Sequence, residues 1–179
     1  MLKALLKAAV ARFEKRYDYD VSYMRALIEA DPGAFFAFAG VQRLGGYAKA
    51  PKDALIAARL VGTLAEDCGP CTQIVVQMGE EQGVAPTVLK AVLTGDEAAM
   101  GADAGLAWKF ARASLARDME TADPLRDEIV RRWGEKGLAA IALAIASARV
   151  FPTVKYALGH GKTCSKVQVK GEAVAPKAA

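Results

Sequence analysis

Apolar residues recur at three- and four-residue steps along most of this chain, and that spacing predicts a protein built almost entirely of helices. In residues 2–16, Leu2, Leu5, Leu6, Ala9, Val10 and Phe13 form one stripe while Lys3, Lys7, Arg12 and Lys15 lie off it, the pattern of an amphipathic helix. Such a stripe packs on the rest of the domain or on a second subunit; a membrane surface is the competing use of the same pattern. Tyr17, Asp18, Tyr19 and Asp20 follow as a polar aromatic joint. Ser22 or Asp20 can cap a short helix running to Ala30. Asp31 and Pro32 then stop that helix and start the next, which carries Phe35, Phe36, Phe38, Val41 and Leu44 and ends at Gly45 and Gly46.

Pro51 suits the first position of a longer helix over about 52–65, whose apolar residues Ala54, Leu55, Ala58, Val61, Gly62 and Leu64 form a broad face. After Cys71, the residues Ile74, Val75 and Met78 and the closing Gly83 describe another helix. Pro86 opens a third with Val88, Leu89, Val92 and Leu93 on its buried side. Beyond Gly95 come a helix containing Leu106, Trp108, Phe110, Ala111 and Leu115, a short one over 124–133, and an Ala-rich one over about 136–158 that Pro152 is expected to bend. The pattern amounts to seven or eight helices in a single all-helical domain over 1–165. Residues 166–170 alternate in polarity, and 166–179 are expected to form a loose C-terminal tail.

Composition sharpens this picture. Hydrophobic residues make up 53% and charged residues 25%, with a mean hydropathy of +0.15, which is the balance of a self-folding globular domain. Alanine supplies about one residue in five while aromatics are only 7%, so helices should pack closely through small side chains and an all-β fold is excluded. The net charge of +4 is too small and too scattered to argue a nucleic-acid partner. Arg149 and Lys155 interrupt the longest apolar run, 138–158, so no membrane span is expected either. Charged Arg12, Glu14, Lys15 and Arg16 follow the N-terminal leucines without a cleavage signal, and a mature cytoplasmic protein is the expectation. Three cysteines do not make the framework of a small secreted domain; in a reducing compartment a Cys-X-X-Cys pair is redox-active or metal-binding.

The segment with chemical content is Glu66-Asp67-Cys68-Gly69-Pro70-Cys71. Two thiols three positions apart at the start of a helix lie within disulfide reach, and the helix N-terminus favours thiolate over thiol. Such surroundings take a cysteine from about 8.5 to somewhere in ~3.5–7.5. A low-pKa thiol with a resolving neighbour cycles through sulfenic acid to a disulfide, the chemistry of a peroxidase or a dithiol–disulfide exchanger. Cys-Gly-Pro-Cys is also the tetrapeptide of thioredoxins, but there a strand leads into the motif. Here the preceding residues step at helical spacing with no β-branched run.

The frame around the pair resembles the carboxymuconolactone decarboxylase and alkylhydroperoxidase D-like family, all-helical proteins in which one helix leads into Cys-X-X-Cys at the head of a second. The resemblance is best over 51–95, through Asp53-Ala54-Leu55, Cys68 and Cys71, Gly83-Val84-Ala85-Pro86 and Leu89-Lys90-Ala91-Val92-Leu93, and the helix over 138–158 looks like the extra packing helix of longer members. It implies an alkylhydroperoxidase D-like bundle and a thiol-dependent peroxidase or disulfide reductase acting on a peroxide or a small disulfide. It also implies an external dithiol reductant, a homo-oligomer, and no cofactor. In the family a Glu about three turns before the first Cys and a His four residues after the second relay the thiol proton. Those positions hold Ile56 and Val75 here, so the relay is absent.

Glu66 is the leading substitute proton acceptor, against the alternative that it serves the helix dipole; Asp67 reads as a cap, and Gln77 and Arg59 could also face the site. His160, the only histidine, lies between two glycines after a long helix and is a further candidate acceptor. Helix-start geometry favours Cys68 as the attacking thiol, whereas the resemblance implies that Cys71 meets the peroxide and Cys68 resolves it. The competing readings are a non-catalytic helical scaffold with an inert or regulatory pair, and an interaction domain stapled by zinc on Cys68, Cys71, His160 and Cys164. Tyr17, Tyr19, Tyr23, Trp108 and Trp133 read as packing residues. Lys162, Lys166 and Lys170 read as part of a solvated segment.

Overall fold

The structure is a computed structural model and describes residues 1–161 and 167–177. Among these, eight helices run in chain order: α1 (Leu2–Tyr17), α2 (Ser22–Ala30), α3 (Pro32–Gly45), α4 (Lys52–Leu64), α5 (Gly69–Glu81), α6 (Pro86–Thr94), α7 (Gly101–Ala116) and α8 (Met119–Ala157). A short antiparallel hairpin follows, β1 (Val167–Val169) and β2 (Glu172–Val174). The protein is thus mostly helical, as the three- and four-residue spacing predicts.

Local chemistry sets the helix ends. Asp31 caps α3 by accepting the Gly33 N–H, with Pro32 in the first turn, and Pro86 opens α6. Gly95 closes α6 in the left-handed conformation that glycine adopts without strain. α8 starts earlier than Pro124, because the Asp118 side chain accepts the Thr121 N–H and begins the helix at Met119. Gly134, with φ 68° and ψ 179°, interrupts α8 between the two helices that the sequence pattern separates. Only glycine adopts that conformation readily.

α4 is the hub. It is buried along nearly its whole length and packs against α5, α6, α7 and α8. Its contact with α8 is close enough that a β-carbon at Gly62 would lie 2.9 Å from the Ile145 carbonyl oxygen and 3.0 Å from Ala148 Cβ. Small residues on both helices permit this approach and expand the dispersion contact between them. By length and composition α8 could cross a membrane; 44% of its most apolar stretch is buried within the protein, where Ala140, Ile141, Ala144 and Ala148 form a wall of the core.

Two apolar clusters result. The larger joins α4 to α8 with the hairpin, through residues such as Ile56, Leu60, Leu89, Phe110 and Ile141. The smaller joins α1, α2 and α3 around Tyr19, Tyr23, Ile28 and Phe38, with Ile74 and Met78 of α5 and Phe151 of α8 packed against it. Helix α5 therefore stands at the boundary between the two, and the cysteine pair is at its N-terminus.

The expected loose tail is corrected for its described residues. Val167 and Val169 are buried in the larger cluster, and β1 docks on α5: the Gln73 side chain accepts the Gln168 N–H at 2.6 Å and donates to the Gln168 carbonyl at 3.2 Å. Glu80 Oε1 accepts the Lys170 N–H, and Lys90 pairs with Glu172. The alternation over 166–170 is the signal of this strand, with its two valines inward and Gln168 outward.

Candidate functional site

Residues 65–67 turn the chain from α4 into α5, with Asp67 in a left-handed conformation at φ 49°. Cys68 is the N-cap of α5: its sulfur accepts the Cys71 N–H at 3.3 Å, so the capping role assigned to Asp67 belongs to the cysteine itself. Thr72 Oγ1 lies 3.0 Å from the Cys68 carbonyl and 3.1 Å from Thr63 Oγ1, tying the motif to the last turn of α4. This local frame holds the two Cα atoms 5.2 Å apart, and Cys68 and Cys71 are joined by a disulfide. Both residues are buried, at 2% and 5% exposure.

The two sulfurs have different surroundings. Cys71 lines a cavity of about 750 Å³ between the two apolar clusters, with Phe13, Tyr19, Arg59, Val75 and Phe151 among its other walls. The Tyr19 hydroxyl lies 3.8 Å from Cys71 Sγ and 3.5 Å from the Tyr23 hydroxyl. Burial pushes the Tyr19 phenol up, opposed in part by its bond to Tyr23, and burial pushes Tyr23 up strongly. Both rings are phenols at neutral pH, so Tyr19 can donate a proton to a hydrogen bond.

Charge gathers behind Tyr19. Lys155 of α8, 1% exposed, carries its ammonium 5.0 Å above the centre of the Tyr19 ring. Burial lowers the proton affinity of Lys155, and the negative charge of Asp20 opposes that shift. Burial would raise the Asp20 carboxyl, but the Ser22 N–H and hydroxyl, both at 2.9 Å, together with Lys155 and His160, hold it below the ordinary carboxylate value.

The other sequence candidates are distributed around this centre. Glu66 accepts a hydrogen bond from Arg149 Nε at 2.6 Å and has Thr153 Oγ1 at 3.5 Å, so its carboxylate is engaged by α8. The Asp67 carbonyl accepts the Tyr156 hydroxyl. His160 Nδ1 is 2.8 Å from Ser22 Oγ, which sets the ring beside Asp20 rather than in the cavity wall. Arg59 lines the cavity; Gln77 does not, and its buried Oε1 has no partner among the described residues. Ile56 and Val75 are buried apolar residues, Val75 in the cavity wall.

For the zinc set, Cys68 and Cys71 are bonded to each other, His160 rests on Ser22, and Cys164 lies outside the described residues. Among the described residues no group of three or more His, Cys, Asp or Glu is arranged to hold a metal ion. Tyr19 and Lys155 are the residues that sequence reasoning missed. Lys155 had a signal, as one of the two cations that interrupt a long apolar run; Tyr19 had none beyond its place in the aromatic joint.

Fold and site together define a mostly helical protein with a buried Cys-X-X-Cys disulfide that opens on one cavity through its second cysteine. No family model, no curated protein and no solved structure matches the chain.

Proposed function

We propose that this protein is a thiol-dependent peroxidase or dithiol–disulfide oxidoreductase that works through Cys68 and Cys71, with Cys71 as the sulfur that meets the substrate. The observation that carries the reading is the position of Cys71: bonded to Cys68, in the cavity wall, and 3.8 Å from a protonated phenol. In the dithiol state the helix N-terminus and the Tyr19 hydroxyl favour a Cys71 thiolate, and the Lys155 cation adds to the same potential.

The thiolate attacks one oxygen of a peroxide. The S–O bond forms, the O–O bond breaks, and the alkoxide leaves as an alcohol after taking a proton, leaving a sulfenic acid on Cys71. The Cys68 sulfur, as a thiolate, then displaces hydroxide, which leaves as water, and the disulfide forms. An external dithiol reduces the disulfide and is itself oxidised. Such turnover suits a reducing compartment such as the cytoplasm. The alkylhydroperoxidase D-like resemblance over 51–95 is part of the same proposal, with the Glu and His relay replaced by the Tyr19 and Lys155 surroundings.

Burial of both sulfurs favours a second reading, a helical scaffold in which the pair is an inert clip. Peroxide consumption under an added dithiol, with thiol alkylation followed against pH for wild type, Cys68→Ser and Cys71→Ser, separates the two. A redox enzyme gives turnover that both substitutions abolish, while Cys68→Ser still forms a trappable sulfenic acid on Cys71. Slow, ordinary alkylation of both thiols without turnover leaves the scaffold. We also infer a homo-oligomer, because Leu2, Leu5 and Phe36 are exposed on the N-terminal helices; light scattering on the purified protein gives the mass that tests it.

A further inference from the structure

The cavity beside Cys71 has a charge pattern that the thiol chemistry does not use. Among the described residues, those that line it with a charge are Arg12, Arg16 and Arg59, and none is an Asp or Glu. Arg16 is bound by Glu81 through two hydrogen bonds, at 2.9 and 3.2 Å, and Arg12 lies in the exposed rim. Arg59 differs from both. It projects from the buried helix α4 and donates to the Gly45 carbonyl, and among the described residues it pairs with no carboxylate. Burial alone lowers its proton affinity, with no charged neighbour contributing, and a guanidinium stays protonated under such a shift.

A part-buried cation with one neutral acceptor among the described residues leaves most of its donors unmatched, since a guanidinium has five N–H donors in a planar fork. A carboxylate satisfies that fork with two parallel hydrogen bonds. The remaining walls are largely apolar: Phe13, Leu55, Ile74, Met78 and Phe151 line the same space. A volume of about 750 Å³ holds a molecule of ten or so heavy atoms with room to spare and falls within the ordinary range for small-molecule sites.

We propose that this cavity binds apolar monocarboxylates, with the carboxylate on Arg59 and the hydrocarbon body along the apolar wall that leads to Cys71. As a substrate class this rests on the peroxidase reading, in which the substrate becomes the hydroperoxide of an apolar acid; as a binding site it stands without it.

The test is calorimetric titration of the oxidised, disulfide-containing protein with decanoate and with 1-decanol, which share a chain and differ in the head group. Decanoate is expected to bind wild type at least about tenfold more tightly than 1-decanol, the scale of one charge-assisted bidentate contact. Arg59→Gln should bring decanoate down to the affinity of 1-decanol and leave 1-decanol unchanged, while Arg59→Lys keeps part of the preference. Equal affinities in wild type overturn the proposal without any variant having to fold. A loss produced by Arg12→Gln and not by Arg59→Gln overturns it too, by moving the anion to the rim. Because the titration uses the disulfide form, absence of peroxide turnover does not affect its outcome, and failure to bind decanoate leaves the thiol chemistry as it was.

Discussion

Tyr19 brings its hydroxyl to 3.8 Å from Cys71 Sγ across 52 positions of sequence, and both residues are buried where they meet. The contact joins the N-terminal helices to the cysteine helix at Cys71, which lines the cavity. A phenol held protonated by burial is a hydrogen-bond donor to a thiolate, which is what a reactive cysteine requires where no imidazole or carboxylate relay is present.

Tyr19→Phe tests that role. The substitution keeps the ring, its edge contacts with Phe13 and Tyr23, and the face under Lys155, and removes the hydroxyl. Loss of one hydrogen bond to a charged group should move the pH midpoint of Cys71 alkylation upward by about one unit in the reduced Cys68→Ser background. A midpoint that stays in place would remove Tyr19 from the chemistry.

Glu66→Gln is expected to change little. The carboxylate is engaged by Arg149, whose side chain is 46% exposed, so the pair is worth under about 1 kcal/mol. Urea unfolding should show a shift of that size, and the alkylation profile of Cys71 should coincide with wild type. A tenfold loss of alkylation rate would restore Glu66 as the proton acceptor.

Asp20 confers a pH dependence. Its folded carboxyl sits below the unfolded value, so its contribution to stability is present at neutral pH and disappears as pH falls through the folded value. Wild type should exceed Asp20→Asn in urea midpoint at pH ~7, and the gap should close below pH ~4. A gap that is constant over that range would mean that Asp20 acts through its turn geometry alone.

Gly62→Ala should destabilise the protein by roughly 1–3 kcal/mol, because the added β-carbon meets the Ile145 backbone oxygen and Ala148 at the α4–α8 contact. Elsewhere in a helix the same change usually stabilises, so the sign of the shift in thermal midpoint reports this close approach.

Val169→Ala measures the docking of the hairpin. Removing two carbons from a fully buried site should cost roughly 1.5–3 kcal/mol, combining the transfer loss with the void left behind. A tail that was loose would show no change.

The periodic apolar spacing, the Asp31–Pro32 and Gly95 punctuation, and the break near Gly134 were all legible from local rules, because each rests on the conformational preference of one or two adjacent residues. The docked hairpin was half visible: its alternation could be read, but whether Val167 and Val169 would be buried depended on α5 offering Gln73 and Glu80 as partners. Glu66 shows what sequence proximity leaves open. It is adjacent to the cysteine motif in sequence, yet Arg149, 83 positions away, engages its charge.

Sequence by itself determined that this protein is helical, that two cysteines stand within bonding distance at a helix start, and that the positions three turns before and four residues after them hold Ile56 and Val75. Tertiary structure alone decided which cysteine lines a cavity, that Tyr19 stands beside it with Lys155 over the tyrosine ring, and that Arg59 stands part-buried with no carboxylate partner among the described residues. The division follows from range. Backbone preference and helical spacing act over a few residues, whereas the surroundings of a side chain are set by whichever elements the apolar faces bring against it, and those faces come together only when the whole chain folds.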